Sequence, residues 1–134
     1  WPLNYSGIQV PALRWTDLLQ SIRARLNELI GLDFNGVLVN CYRDGNDSVG
    51  WHSDDEAEWG PNPVIASVSF GATRDFVLKH RRDKRIKPVT CPLTHGSLLL
   101  MGDQVQNAWQ HQLPTRPRIT SPRVNLTFRN LRAP

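Results

Sequence analysis

At 134 residues the chain has the length of one domain with a real core and leaves little room for a second. Its 40% apolar content and five tryptophans exclude a disordered chain. No apolar run reaches the ~20 residues of a membrane span, and two cysteines are too few for a disulfide framework. Sixteen Lys and Arg against twelve Asp and Glu give a net charge of +4, which favours anionic partners. The expectation is a soluble intracellular protein, cytoplasmic in a bacterium and nuclear in a eukaryote, with Cys41 and Cys91 as reduced thiols.

In chain order, residues 1–10 carry Pro2, Asn4, Ser6 and Gly7 without a helical period and read as an extended lead-in. Pro11 suits a first helical turn. Leu18, Leu19, Ile22, Leu26, Leu29 and Ile30 then follow at helical spacing until Gly31 supplies a stop, which predicts one amphipathic helix over 11–30 flanking the remainder. The opposite face, with Arg14, Asp17, Arg23, Arg25 and Glu28, reads as solvated. After Gly31 the pattern changes to short β-rich runs: 34–42, ending at the turn 43–47, then 64–70, 75–80, 85–90, 97–101, 108–112 and 124–131. Residues 62–63 and 114–122 read as loops. Many short strands with one helix outside them predict a mainly β fold, a sandwich or a barrel, with no internal repeat.

Charge is unevenly distributed along these elements. Most acids lie between 44 and 58, whereas 79–87 and 116–132 are basic. Within the acidic stretch His52 and Asp54 are two apart, so at a strand end both side chains reach one face, and a distant strand can supply His111. Two imidazoles and a carboxylate are the donor set that holds non-haem Fe(II) with open positions. A lone His-x-Asp is weak evidence, and it gains weight from the strand 123–129. There Arg123, Asn125, Thr127 and Arg129 alternate with Val124, Leu126 and Phe128. Such arginines can merely protect a sheet edge; the apolar alternate face argues instead that they point into a polar interior. A buried guanidinium requires an anion, and paired guanidinium groups suit a dicarboxylate. Asn40 and Tyr42, also two apart, offer an amide and a phenol to the same pocket. His80, in a basic hairpin, and His95, before Gly96, are not assigned to the metal.

Several stretches together resemble the AlkB family of Fe(II)- and 2-oxoglutarate-dependent nucleic-acid dealkylases. They are Asn40-Cys41-Tyr42, His52-Ser53-Asp54-Asp55-Glu56, residues 65–76, His95-Gly96-Ser97-Leu98-Leu99, Trp109-Gln110-His111 and residues 122–129. Arg74-Asp75-Phe76 and the acids after Asp54 are similar to the eukaryotic-type DNA repair members. The resemblance covers most of the chain from residue 34 onward. It implies a double-stranded β-helix, a form of jelly roll, as a single dioxygenase domain over residues 1–134.

The resemblance further implies iron on His52, Asp54 and His111, and the two carboxylates of 2-oxoglutarate on Arg123 and Arg129, assisted by Asn40, Tyr42 and Asn125. With oxygen, the co-substrate would be converted to succinate and CO2 while an N-methyl group is hydroxylated and lost as formaldehyde. The expected substrates are alkylated bases such as 1-methyladenine and 3-methylcytosine in DNA, extending to RNA, handled by a monomer. Glu56, with Asp55 beside it, would favour a cationic methylated base, and Tyr5 would stack on it; the bland alternative is two solvated turn acids. The family's lid lies mostly upstream of the first matching strand, and here Tyr5-Ser6-Gly7 is all of it that is expected. Arg81, Arg82, Lys84 and Arg85 of the hairpin, with Arg74 on the rim, are expected to track phosphates, although charged hairpin tips are commonly just solvated. Two other readings stay open: a 2-oxoglutarate-dependent protein hydroxylase, and a nucleic-acid-binding module without catalysis.

Overall fold

The computed structural model describes residues 3–5, 8–55, 60, 63–102 and 104–131. The chain divides into two compact units, 1–32 and 33–134.

The first unit holds a short antiparallel pair, β1 (Leu3–Tyr5) with β2 (Ile8–Val10), followed by α1 (Asp17–Ile30). The helix starts six residues later than its apolar period predicts. Thr16 is the reason: it stays extended, and its hydroxyl accepts the Leu19 N–H at 3.2 Å, satisfying one of the free donors of the first turn. Asp17 then meets the positive end of the helix dipole. The stop falls where expected. Gly31 takes the left-handed conformation with φ 77° and its N–H closes on the Asn27 carbonyl at 2.9 Å. The polar face behaves as read, with Arg25 paired to Glu28 and Arg23 lying over the Trp15 ring. The apolar stripe does not: Leu26 is buried, whereas Leu18 is 71% and Leu29 62% exposed.

The second unit contains two four-stranded antiparallel sheets. The first has the order β3-β10-β5-β8, from β3 (Gly36–Tyr42), β10 (Arg123–Arg129), β5 (Ile65–Gly71) and β8 (Leu98–Met101). The second has the order β4-β9-β6-β7, from β4 (Val49–His52), β9 (Trp109–Leu113), β6 (Arg74–His80) and β7 (Val89–Leu93). A single helical turn, α2 (Val105–Ala108), leads into β9. This is the expected mainly β, jelly-roll architecture, and the pairing of β4 with β9 within the second sheet is what brings residues 54 and 111 together. Among the described helices none is long and apolar enough to cross a membrane. Cys41 and Cys91 are free thiols.

Differences from the expected strands have local causes. The strand expected at 85–90 begins at Val89 because Asp83 draws the backbone N–H of Arg85 and the His80 ring accepts those of Arg82 and Asp83, turning 81–86 into a tight tip. β4 and α2 have no counterpart among the elements expected from the sequence. Both are four residues long, too short for a period to register.

The apolar cluster of this unit is Tyr42, Ile65, Phe76, Leu93, Met101 and Leu113. Beside it lies an unusual share of buried polarity: Asp54, Ser67, Ser69, Arg74, Gln106, His111 and the face Arg123, Asn125, Thr127, Arg129. The alternation on β10 is as read, with Leu126 and Phe128 on the other face and Phe128 packed against Phe34, ring centres 6.4 Å apart. Pairing on both sides brings polar partners to that face. Asn125 stands opposite Asn40 and Ser69, and Arg123 opposite Tyr42.

Candidate metal and anion site

β4 and β9 pair so that His52 stands directly opposite His111, their rings edge to face at 4.2 Å between centres. The chain leaves β4 after His52, and Asp54 turns its carboxylate back between them: Oδ1 is 4.0 Å from His52 Nε2 and Oδ2 3.7 Å from His111 Nε2. One donor atom from each of the three lies within 4.8 Å of the others. Nδ1 of His52 sits 2.8 Å from the Gly50 carbonyl, a contact that places its proton on Nδ1 and leaves the Nε2 lone pair facing the cluster. Burial, with His52 and Arg129 nearby, pushes the His111 pKa down to about 4, against the pull of Asp54. His111 is therefore neutral at pH 7, the form that donates to a metal. The residues present fit a divalent ion.

Along β10 two guanidinium groups flank this cluster differently. Arg129 Nη2 lies 3.4 Å from Asp54 Oδ2 and 3.3 Å from Thr127 Oγ1. Arg123 is buried; Nη2 donates to Ser69 Oγ at 3.0 Å and its guanidinium lies 5.2 Å from the centre of the Tyr42 ring. Its Nε has no hydrogen-bond partner, and it has no ion pair to a carboxylate among the described residues. Burial lowers its pKa and raises that of Tyr42. A buried cation without its anion is the complement of a carboxylate ligand. Asn125 donates to Ser67 Oγ at 2.8 Å and to the Val68 carbonyl at 3.1 Å. Ser67 and Ser69 were missed in the sequence because small hydroxyls in an apolar strand carry no chemical signature of their own.

The expected substrate residues fare unevenly. Arg74 is no rim residue. It is 1% exposed and donates to the backbone carbonyls of Asp44, Asp47 and Pro114 at 3.1, 2.8 and 2.9 Å, so it is a clamp on two loops. Arg81 pairs with Asp55 at 3.2 Å and donates to the Gln106 carbonyl at 3.2 Å. Arg85 is held by Asp83 through two contacts of 3.0 Å. Arg82, Lys84 and Lys87 are exposed. Glu56 and the Tyr5 side chain lie outside the described part of the chain. His80 and His95 are occupied elsewhere, His95 Nδ1 accepting the Gly71 N–H at 2.9 Å and His80 stacking edge-on against Trp109.

A His-x-Asp…His cluster inside a double-sheeted β fold, beside buried arginines, defines an oxygenase-type site. The 2OG-Fe(II) oxygenase superfamily profile matches residues 2–129, and the chain belongs to that family. Membership implies Fe(II), 2-oxoglutarate and oxygen as its reagents. Within the family it is similar to AlkB-type relatives. It is 47% identical over 134 residues to the DNA oxidative demethylase ALKBH2 of Mus musculus, covering 96% of this chain and 56% of that protein. The Homo sapiens ALKBH2 is 44% identical, with 96% and 51% covered. The alpha-ketoglutarate-dependent dioxygenase alkB homolog 3 of Mus musculus is 43% identical over 138 residues, with 97% and 48% covered. The chain thus spans about half the length of the curated relatives it matches. The solved structure of OsALKBH1 superposes with a TM-score of 0.60 at 21% identity, covering 93% of this chain and 67% of that one, a likeness of fold.

Proposed function

We propose that residues 1–134 are one catalytic domain of an Fe(II)- and 2-oxoglutarate-dependent dioxygenase that removes N-methyl and small N-alkyl groups from bases such as 1-methyladenine and 3-methylcytosine in DNA, and in RNA as well. It would act as a monomer inside the cell, in the nucleus of a eukaryote or the cytoplasm of a bacterium. The observation that carries this reading is the pairing of two features: the donor atoms of His52, Asp54 and His111 within 4.8 Å, and a buried Arg123 on the neighbouring face without a carboxylate partner among the described residues. The similarity to DNA oxidative demethylases of mouse and man supports the substrate class.

In this reading His52, Asp54 and His111 hold the iron, and Arg123 and Arg129 hold the carboxylates of 2-oxoglutarate, assisted by Asn40, Tyr42 and Asn125. Bound iron, with 2-oxoglutarate and oxygen, supplies the oxidising power that converts N–CH3 to N–CH2OH, with succinate and CO2 as co-products. The hydroxymethyl group then leaves as formaldehyde and the base regains its N–H or lone pair. Asp55 and Glu56 favour a cationic methylated base over its neutral parent, and Tyr5 stacks on it. The hairpin cations, Arg82 and Lys84 foremost with Arg81 and Arg85 beside them, follow the phosphates. A target base must be unpaired or flipped out to reach the cluster.

The test is formaldehyde release, with mass analysis of the oligonucleotide, from single- and double-stranded DNA carrying 1-methyladenine or 3-methylcytosine. Repair that requires Fe(II), 2-oxoglutarate and air together, and that is lost in a folded Asp54→Ala variant, is the expected result. Binding of 2-oxoglutarate without repair of any such oligonucleotide would redirect the reading to another substrate.

A further inference from the structure

Gln106 on α2 is completely buried, and nothing in the chemistry above uses it. Its Oε1 accepts the backbone N–H of Asp54 at 2.7 Å, and its Nε2 lies 3.8 Å from Met101 Sδ. An amide taken wholly out of water costs free energy unless it is hydrogen-bonded, so this contact is a strong constraint rather than an incidental one.

The constrained segment is the one that most needs it. Pairing of β4 with β9 ends at His52 opposite His111, and residues 53–55 run outside any strand. Three hydrogen bonds take the place of the ladder. Ser53 Oγ donates to the Trp109 carbonyl at 2.6 Å, the Asp54 N–H goes to Gln106, and Asp55 Oδ2 accepts from Arg81 Nη1 at 3.2 Å. Every anchor belongs to α2, to the residue that follows it, or to Arg81. Arg81 itself grips that turn three times, through Nη1 to the Gln106 and Asn107 carbonyls at 3.2 and 3.5 Å and through its own N–H to the Ala108 carbonyl at 2.8 Å.

We propose that Gln106 is a positioning residue for the Asp54 carboxylate. By capturing the Asp54 N–H it fixes the backbone from which the carboxylate is presented to His52 and His111, and Arg81 ties the same turn to the base of the basic hairpin. The proposal rests on the metal reading given above.

Co(II) titration of the chain under anaerobic conditions tests it, because the visible bands of bound Co(II) report its ligand geometry. Three variants are compared with wild type: Gln106→Met, similar in length but without the acceptor; Gln106→Asn, which retracts the amide; and Leu93→Ala, a core truncation on β7 away from residues 53–55. The expected result is a Co(II) affinity lower by about tenfold or more and an altered spectrum in both Gln106 variants. Leu93→Ala is expected to lower the thermal midpoint while leaving affinity and spectrum unmoved. In the metal-free wild-type chain the Asp54 amide hydrogen should exchange at least about 100-fold more slowly than in a free peptide, despite lying outside the strands. Wild-type affinity and spectrum in a folded Gln106 variant would overturn the proposal, as would rapid exchange at Asp54. Failure of wild type itself to bind Co(II) would instead sink the metal reading, and this one with it.

Discussion

Two arginines lie against the Tyr42 ring and do opposite work. Arg74, 5.7 Å from the ring centre, donates through Nη1 and Nη2 to three backbone carbonyls, and its Nε, like that of Arg123, has no hydrogen-bond partner. Arg123, at 5.2 Å, donates instead to a single side-chain hydroxyl, Ser69 Oγ, and has no ion pair to a carboxylate among the described residues. Truncating Arg123 should therefore cost ligand binding. A charge-assisted hydrogen bond contributes about 1.5–3 kcal/mol, so Arg123→Met should raise the half-saturating 2-oxoglutarate concentration roughly ten- to a hundredfold. An unchanged requirement would make Arg123 a structural residue like Arg74. The sequence distinguishes the strand partners of Arg123 but not the two arginines' fates. Period-two alternation with Val124, Leu126 and Phe128 is visible in the residue order, whereas the carbonyls that satisfy Arg74 come from residues 44, 47 and 114 and carry no side-chain signature.

The turn between β3 and β4 is where local chemistry is densest. Gly45 donates its N–H to the Ile119 carbonyl and accepts the Arg116 N–H, both at 2.7 Å, so the backbone of the 114–119 loop lies against it. A Cβ built on Gly45 would stand 1.7 Å from the Arg116 carbonyl oxygen. Gly45→Ala should accordingly destabilise the protein by about 3 kcal/mol, read as a lower urea midpoint; a loss well under 1 kcal/mol would mean that the loop moves aside at little cost. Two residues on, Asp47 accepts from the Arg43 backbone N–H and from its guanidinium at 2.8–2.9 Å, which holds the carboxyl well below the usual carboxylate range. A folded pKa below the unfolded one means that the contribution is present above the unfolded value near 4 and is lost as pH falls through the folded value. Wild type should thus be more stable than Asp47→Asn at pH 7, with the gap closing below pH 4. A gap independent of pH would assign the effect to geometry rather than charge. The long apolar or alternating runs, β3, β5, β6 and β10, were legible in the sequence to within two residues at each end. β4 was not, because Val49-Gly50-Trp51-His52 is short and contains a glycine, and α1 was read too long because Pro11 is as good a helix start as Thr16 until the Thr16 hydroxyl is seen to cap Leu19.

The net charge of +4 acts on a polyanion only through cations left free to meet it. The run from His80 to Lys87 looks uniformly basic in the sequence, yet pairing divides it. Arg81 is committed to Asp55 and the α2 turn, and Arg85, though 92% exposed, already lies bidentate on Asp83. Arg82, Lys84 and Lys87 are exposed and are not ion-paired among the described residues. If the hairpin tracks phosphates, the electrostatic component of binding therefore belongs mainly to these three. Neutralising one phosphate contact on a single strand lowers the slope of log affinity against log salt by about 0.7, so the Arg82→Ala/Lys84→Ala double variant should weaken binding of an unmethylated single-stranded oligonucleotide and flatten that slope by about 1.4. Arg85→Ala should do less, since it also releases Asp83 from its pair. Wild-type affinity and slope in the double variant would remove the hairpin from the proposed nucleic-acid surface. Fluorescence anisotropy over a salt series separates these outcomes without requiring turnover.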